Sequence, residues 1–172
     1  MATMIGKRVY DALNKQINDE MITAYFFLAA SGILKDMGLP GCSRWAASLA
    51  KETMDESLEI FQYLMSRKTK VRFLQLPAPK QDWRAPLHIF EEASRRAQTS
   101  TGSLYTIYEY SVTEKDHASS IMLMPMIERK IKLETEIINL LEKLRRMQTT
   151  EMGVFTFDAE LNSLMDKKEH IE

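Results

Sequence analysis

Apolar side chains recur every third or fourth residue through most of this chain, and no segment alternates them as a half-buried strand would, so the sequence reads as all-α. A first helix is predicted over about residues 7–37, with Leu13, Ile17, Ala24, Phe27 and Leu28 on one stripe. "GLPGC" stops it, because two glycines around a proline break a helical run. A second helix is predicted over about 43–70, with Ser43 as its N-cap and Leu49, Ile60, Tyr63 and Leu64 inward. Residues 71–85 hold two prolines and little periodicity and form a connection. A second helix rising ~1.5 Å per residue is about 40 Å long, and about 15 extended residues at ~3.3 Å each run back along it, which lays the third helix parallel to the second. Pro86 suits the first turn of that third helix, expected over about 86–113 with Phe90, Ala97, Leu104 and Tyr108 inward. "EKDHAS" turns the chain, Asp116 caps, and a fourth helix follows over about 117–146; after "QTTEMG" a short fifth, about 157–168, packs across the end. The whole chain, 1–172, is expected to be one domain.

The first helix is apolar nearly all round between Met21 and Leu34, which adds Ile22, Tyr25, Phe26 and Ile33 as a second greasy face. That face predicts a contact between subunits. The stretch is shorter than the roughly 18 residues that span a bilayer, and Glu20 and Lys35 bracket it, so no membrane partner is expected. The formal charge of −1, with acids and bases interleaved, offers no basic field for nucleic acid. Lys7, Arg8 and Asp11 interrupt any secretory signal, and the single Cys42 fits a reducing compartment, so a cytoplasmic location is expected.

The core stripes contain intruders. Positions 13, 17, 20, 24 and 27 share a face of the first helix and 49, 53, 56, 60 and 63 a face of the second, which turns Glu20, Thr53 and Glu56 inward. The third stripe brings in Ser94, Ala97 and Thr101, and the fourth brings in Lys130. Charged groups are almost never buried unless paired or bound to metal, so Glu20, Glu56 and Lys130 require a reason; Asp55 and Glu59 read as a solvated face. A di-iron bundle site draws on Glu-x-x-His pairs set on core stripes, and no stripe carries one: the chain's one such spelling, Glu114 to His117, falls in the "EKDHAS" turn. His88, His117 and His170 fall at helix starts and in the tail, and neither a nucleophile with its base nor a glycine-rich phosphate loop is identifiable.

Two hairpins joined by one long crossover is the topology of ferritin-like bundles. The stretches "ALNKQINDE", "RWAASLAKETMDESLEIFQYL", "EKDHAS", "EIINLLEK" and "MGVFTFDAEL" together resemble a bacterial non-haem ferritin subunit over nearly the whole chain. The resemblance implies a four-helix bundle with a short fifth helix, assembled as a homo-oligomer into a cage of 24 subunits that oxidises ferrous iron and stores the ferric mineral.

It also implies a di-iron ferroxidase centre with ligands at positions 20, 53, 56, 97 and 130, ordinarily Glu, Glu, His, Glu and Gln. Only Glu20 matches; Thr53, Glu56, Ala97 and Lys130 replace the rest, and Phe27 stands where the family usually has a tyrosine. Of the acids that form an accessory site in some relatives, near Glu52, Arg129, Lys132 and Leu133, only Glu52 remains. Glu20, Glu52 and Glu56 are the candidate metal residues, and "LAKETMDESLE" looks like a decayed metal helix whose acids Lys130 neutralises. Met54 lies near the place of a haem-ligating methionine in haem-containing relatives, but with 12 methionines in the chain it is read as packing and no haem is expected. Three functions stay open: a shell subunit that accepts iron with an incomplete ferroxidase centre, which leads; an unusual carboxylate ferroxidase built on Glu20, Glu52 and Glu56; and a shell without an iron role. Co-assembly with an active subunit that supplies the missing centre also stays open.

Overall fold

The computed structural model describes residues 4–171. Five helices follow one another: α1 (Lys7–Asp36), α2 (Pro40–Ser66), α3 (Pro86–Thr113), α4 (His117–Met147) and α5 (Glu151–Glu169), and no described residue lies in a strand. α1 packs along α2, α3 along α4, and α1 against α3, while α5 lies on α2 and α4. Trp45 near the start of α2 stacks on Phe90 near the start of α3, with ring centroids 4.4 Å apart. Their helix starts therefore share one end of the bundle, and α2 and α3 run parallel across residues 67–85. No described helix is long and apolar enough to cross a membrane.

Three helices end in the same way. Leu39 N–H reaches back to Leu34 and Gly38 N–H to Lys35, with Gly38 at φ 77°. The same paired bonds close α2 at Lys68 and α3 at Lys115, both at positive φ. Lysine in that conformation carries no glycine signal, which is why the sequence reads α2 on to about residue 70 although it ends at Ser66.

Pro40 opens α2 ahead of Ser43, because a proline at the first helical position gives up only an N–H that has no partner there. Ser43 is thus inside the helix, where its hydroxyl meets Ser31 Oγ at 3.1 Å. α5 starts at Glu151 rather than Phe157, capped by Thr150, whose hydroxyl accepts from Gly153 N–H. Asp116 caps α4 as expected, accepting from Ser119 N–H at 3.1 Å. Pro125 sits inside α4 on an exposed position, so the backbone bond it forgoes lies on the wet side of the helix and α4 continues through it.

The greasy outer face of α1 is narrower than the sequence indicates. Phe26 is buried, with Phe27 at 5.0 Å and Trp83 of the crossover at 6.1 Å between ring centroids. Leu28, expected inward, is 61% exposed instead. Tyr25 is exposed, and Ile22 and Ile33 are half-buried.

The core divides in two. One apolar cluster gathers Phe27, Leu34, Trp45, Leu49, Phe90, Ile137 and Phe157 at the α5 end. The other gathers Leu13, Ile17, Ile60, Leu64, Leu104 and Leu123 at the opposite end. Each of the four long helices passes from one cluster to the other through buried polar residues: Glu20 on α1, Thr53 and Ser57 on α2, Thr101 on α3 and Lys130 on α4.

Candidate metal centre

This polar waist holds Glu20, Glu56 and Lys130, three of the residues that the sequence singles out. The Glu20 side chain is 1% exposed and that of Lys130 4%, with Lys130 Nζ 3.0 Å from Glu20 Oε2. Nζ also forms an ion pair with Glu56, whose side chain is 13% exposed. Glu20 Oε1 accepts from Gln16 Nε2 at 2.7 Å and from Ser100 Oγ at 2.5 Å. One network thus joins α1, α2, α3 and α4.

Thr53 and Ala97 are buried in the same layer and bring no charge; the Thr101 hydroxyl donates to the Ala97 carbonyl at 3.0 Å. Phe27 meets Trp45 edge to face at 6.0 Å between centroids. Glu52 lies outside the waist, exposed, accepting from Ser48 Oγ at 3.0 Å. It lines an open pocket of about 410 Å³ with Asp55, Glu56, Glu59 and Lys132, where Arg129 pairs with Glu59. His88, His117 and His170 are exposed and far from the waist in sequence and helix position. Among the described residues, no three His, Cys, Asp or Glu side chains are grouped as a metal ion requires.

The electrostatics follow from two carboxylates sharing one ammonium. Burial by itself draws the Lys130 ammonium down, but the charges and hydrogen bonds of Glu20 and Glu56 outweigh it, so its pKa ends above the usual lysine value. Lys130 is therefore a cation at neutral pH. Burial pushes Glu56 up, Lys130 pulls it back and the charge of Glu20 adds to the rise, leaving it above the usual carboxylate range. Gln16 and Ser100 join the network without having stood out in the sequence. The only signal for Gln16 is its place one turn before Glu20, and Ser100 lies beside rather than on the α3 stripe.

The sequence of residues 10–147 matches the family model for ferritin, described as a ferritin-like domain. The chain is 25% identical to the bacterial non-heme ferritin of Staphylococcus saprophyticus, over 92% of this chain and 95% of that protein. It is 24% identical to the bacterial non-heme ferritin of Campylobacter jejuni, over 94% and 96%. Among solved structures it resembles the open-pore ferritin of the hyperthermophilic archaeon Archaeoglobus fulgidus, with TM-score 0.87, 26% identity, and coverage of 92% of this chain and 96% of that one. In sequence over most of its length, and in its two hairpins, long crossover and added fifth helix, the chain belongs to the ferritin family.

Proposed function

We propose that this chain is the subunit of an iron-storing shell that holds iron as cargo but performs no fast di-iron oxidation of its own. The observation that carries this reading is Lys130, which stands between Glu20 and Glu56 in ion-pair contact with both. Two hard cations demand several oxygen or imidazole donors with compensating charge. The waist offers two carboxylates already claimed by an ammonium, with Thr53 and Ala97 uncharged beside them. These residues do not fit a metal pair. Any oxidation is then slow and falls to surface acids such as Glu52, Asp55 and Glu59 on the α2–α4 side.

Support for the shell comes from the relatives, which are ferritins, and from apolar surface. Leu28 on α1 and Phe73 and Leu74 on the crossover are all more than half exposed. Symmetric closure hides such side chains. The reading is a homo-oligomeric cytoplasmic cage, with 24 subunits as the family's number. Co-assembly with an active ferritin subunit is the arrangement that would restore fast oxidation to it.

The test adds ferrous iron to the purified protein with an oxygen electrode, then measures retained iron after anaerobic gel filtration and mass in the native state. Retention by a large assembly, without a fast phase of oxygen consumption at two ferrous ions per subunit, is the expected result. A fast phase, or a stable monomer that keeps no iron, would overturn the reading.

A further inference from the structure

The waist is reached from both broad faces of the bundle. α1 pairs with α2, α3 with α4 and α1 with α3, so the α1–α3 and α2–α4 grooves lie on opposite sides. A cavity of about 200 Å³ in the first groove is lined by Gln16, Glu20, Arg96 and Ser100. The pocket of about 410 Å³ in the second is lined by Glu56 and by Arg129 and Lys132 of α4. From one to the other the side chains run Ser100, Glu20, Lys130, Glu56, each in contact with the next. Lys130 is the one buried cation among the described residues.

We infer that Lys130 is a built-in cation that seals this passage across the bundle, cross-linking the helices in place of a metal ion and keeping divalent metal off Glu20 and Glu56. A divalent ion entering from either face meets a carboxylate already bonded to the ammonium. In a low-dielectric core it would have to sit within a few ångströms of a like charge. On the α2–α4 side Arg129 and Lys132 stand among the acids Glu52, Asp55, Glu59 and Glu136, so the block there falls to Lys130 itself. An ammonium is also well suited to cross-linking, because three donors on a flexible stem reach two carboxylates at once. This inference rests on the assignment of Lys130 in the proposed function but not on iron storage.

The test titrates Mn²⁺ into the full-length protein and reads the free ion by electron paramagnetic resonance. Wild type, Lys130→Arg, Lys130→Gln and Lys130→Gln with Glu20→Gln are compared, the last setting the background of surface acids. Wild type and Lys130→Arg are expected to match that background. Lys130→Gln should take up about one further ion per subunit, because the two carboxylates are then free to bind it. Should Lys130→Gln fail to fold alone, refolding in Mn²⁺ should restore it, since the ion returns the missing charge. The inference is overturned if wild type binds an ion beyond the background set by the double variant. It is equally overturned if folded Lys130→Gln binds no more than the background, or if unfolded Lys130→Gln is not recovered by Mn²⁺. Because the probe is manganese, loss of iron retention leaves the result intact.

Discussion

The backbone N–H of Cys42 donates to Asp158 Oδ1 at 2.7 Å, which ties the start of α2 to the middle of α5. Asp158 is buried, and it places a carboxylate on the N-terminal turn of a long helix, where free N–H groups and the helix dipole favour negative charge. Gly41 allows the approach: a Cβ there would lie 2.2 Å from the Asp158 carbonyl oxygen. The neighbouring Cys42 thiol is pushed up by burial and by the charge of Asp158, so it stays protonated.

Asp158→Ala is therefore expected to cost about 1.5–3 kcal/mol, the range for a hydrogen bond to a charged acceptor. Asp166→Ala, which removes one of the exposed partners of Arg44, should cost much less, because solvent screens that pair. Thermal melting with hydrogen exchange at the Cys42 amide checks this. Equal losses for the two variants would mean that Arg44, not the α2 cap, holds α5.

Much of this architecture is legible in the sequence. The 3.6-residue period locates the helices, the length of the connection read as 71–85 sets α2 parallel to α3, and the stripes place Glu20, Glu56 and Lys130 in one core. What escapes depends on pairs of elements or on backbone geometry. Phe26 reads as part of an outer face because its cover, Trp83, arrives from the crossover. Lys68 and Lys115 end helices at positive φ without glycine. Pro40 reads as a breaker and is a helix start. Lysine's place in the waist is readable as position, but Gln16 and Ser100, which complete the network, lack any distinguishing pattern.

The crossover is held by asparagine side chains of α1 that the sequence does not advertise. Asn18 donates to the Arg72 carbonyl at 2.9 Å and accepts from Leu74 N–H at 2.8 Å. Asn14 accepts from Arg72 N–H at 2.7 Å. Asn18→Ala leaves a backbone donor and acceptor in a partly buried place and should cost about 1–3 kcal/mol. Amide exchange at Leu74 should speed up while that in α3 does not. Unchanged protection at Leu74 would show that packing alone fixes the segment.

Glu56 should give the protein an unusual pH response. Its pKa is raised, chiefly by burial, so its stabilising share is complete below the ordinary glutamate value of ~4.3 and fades as pH rises through the higher folded value. Lys130 is also raised, but its share persists below ~10.4 and fades only above that, so it adds no slope near neutrality. Glu56→Gln removes the first effect and leaves Lys130 paired with Glu20. The variant should thus gain on wild type as pH rises from ~4.3 toward neutrality. Denaturation midpoints across that range give the answer, and a difference that does not vary with pH contradicts the assignment to Glu56.

Removing the cation should do the reverse. Lys130→Met strands Glu20 and Glu56 together in the waist, and loss of one side of a buried ionic group costs about 3–5 kcal/mol. The loss should be largest near pH 7.5. Facing carboxylates raise one another's pKa and hold a shared proton, so the variant's folded state binds protons that its unfolded state has already released. Its stability is accordingly recovered in part at pH 5 and lost again as pH climbs. Adding Glu56→Gln to Lys130→Met should return some of the deficit at pH 7.5 by removing one of the stranded charges. Thermal melting of the three proteins at both pH values checks the scheme. Equal melting of wild type and Lys130→Met at each pH would mean that the ammonium reaches water instead, with no net stabilisation from its contacts with Glu20 and Glu56.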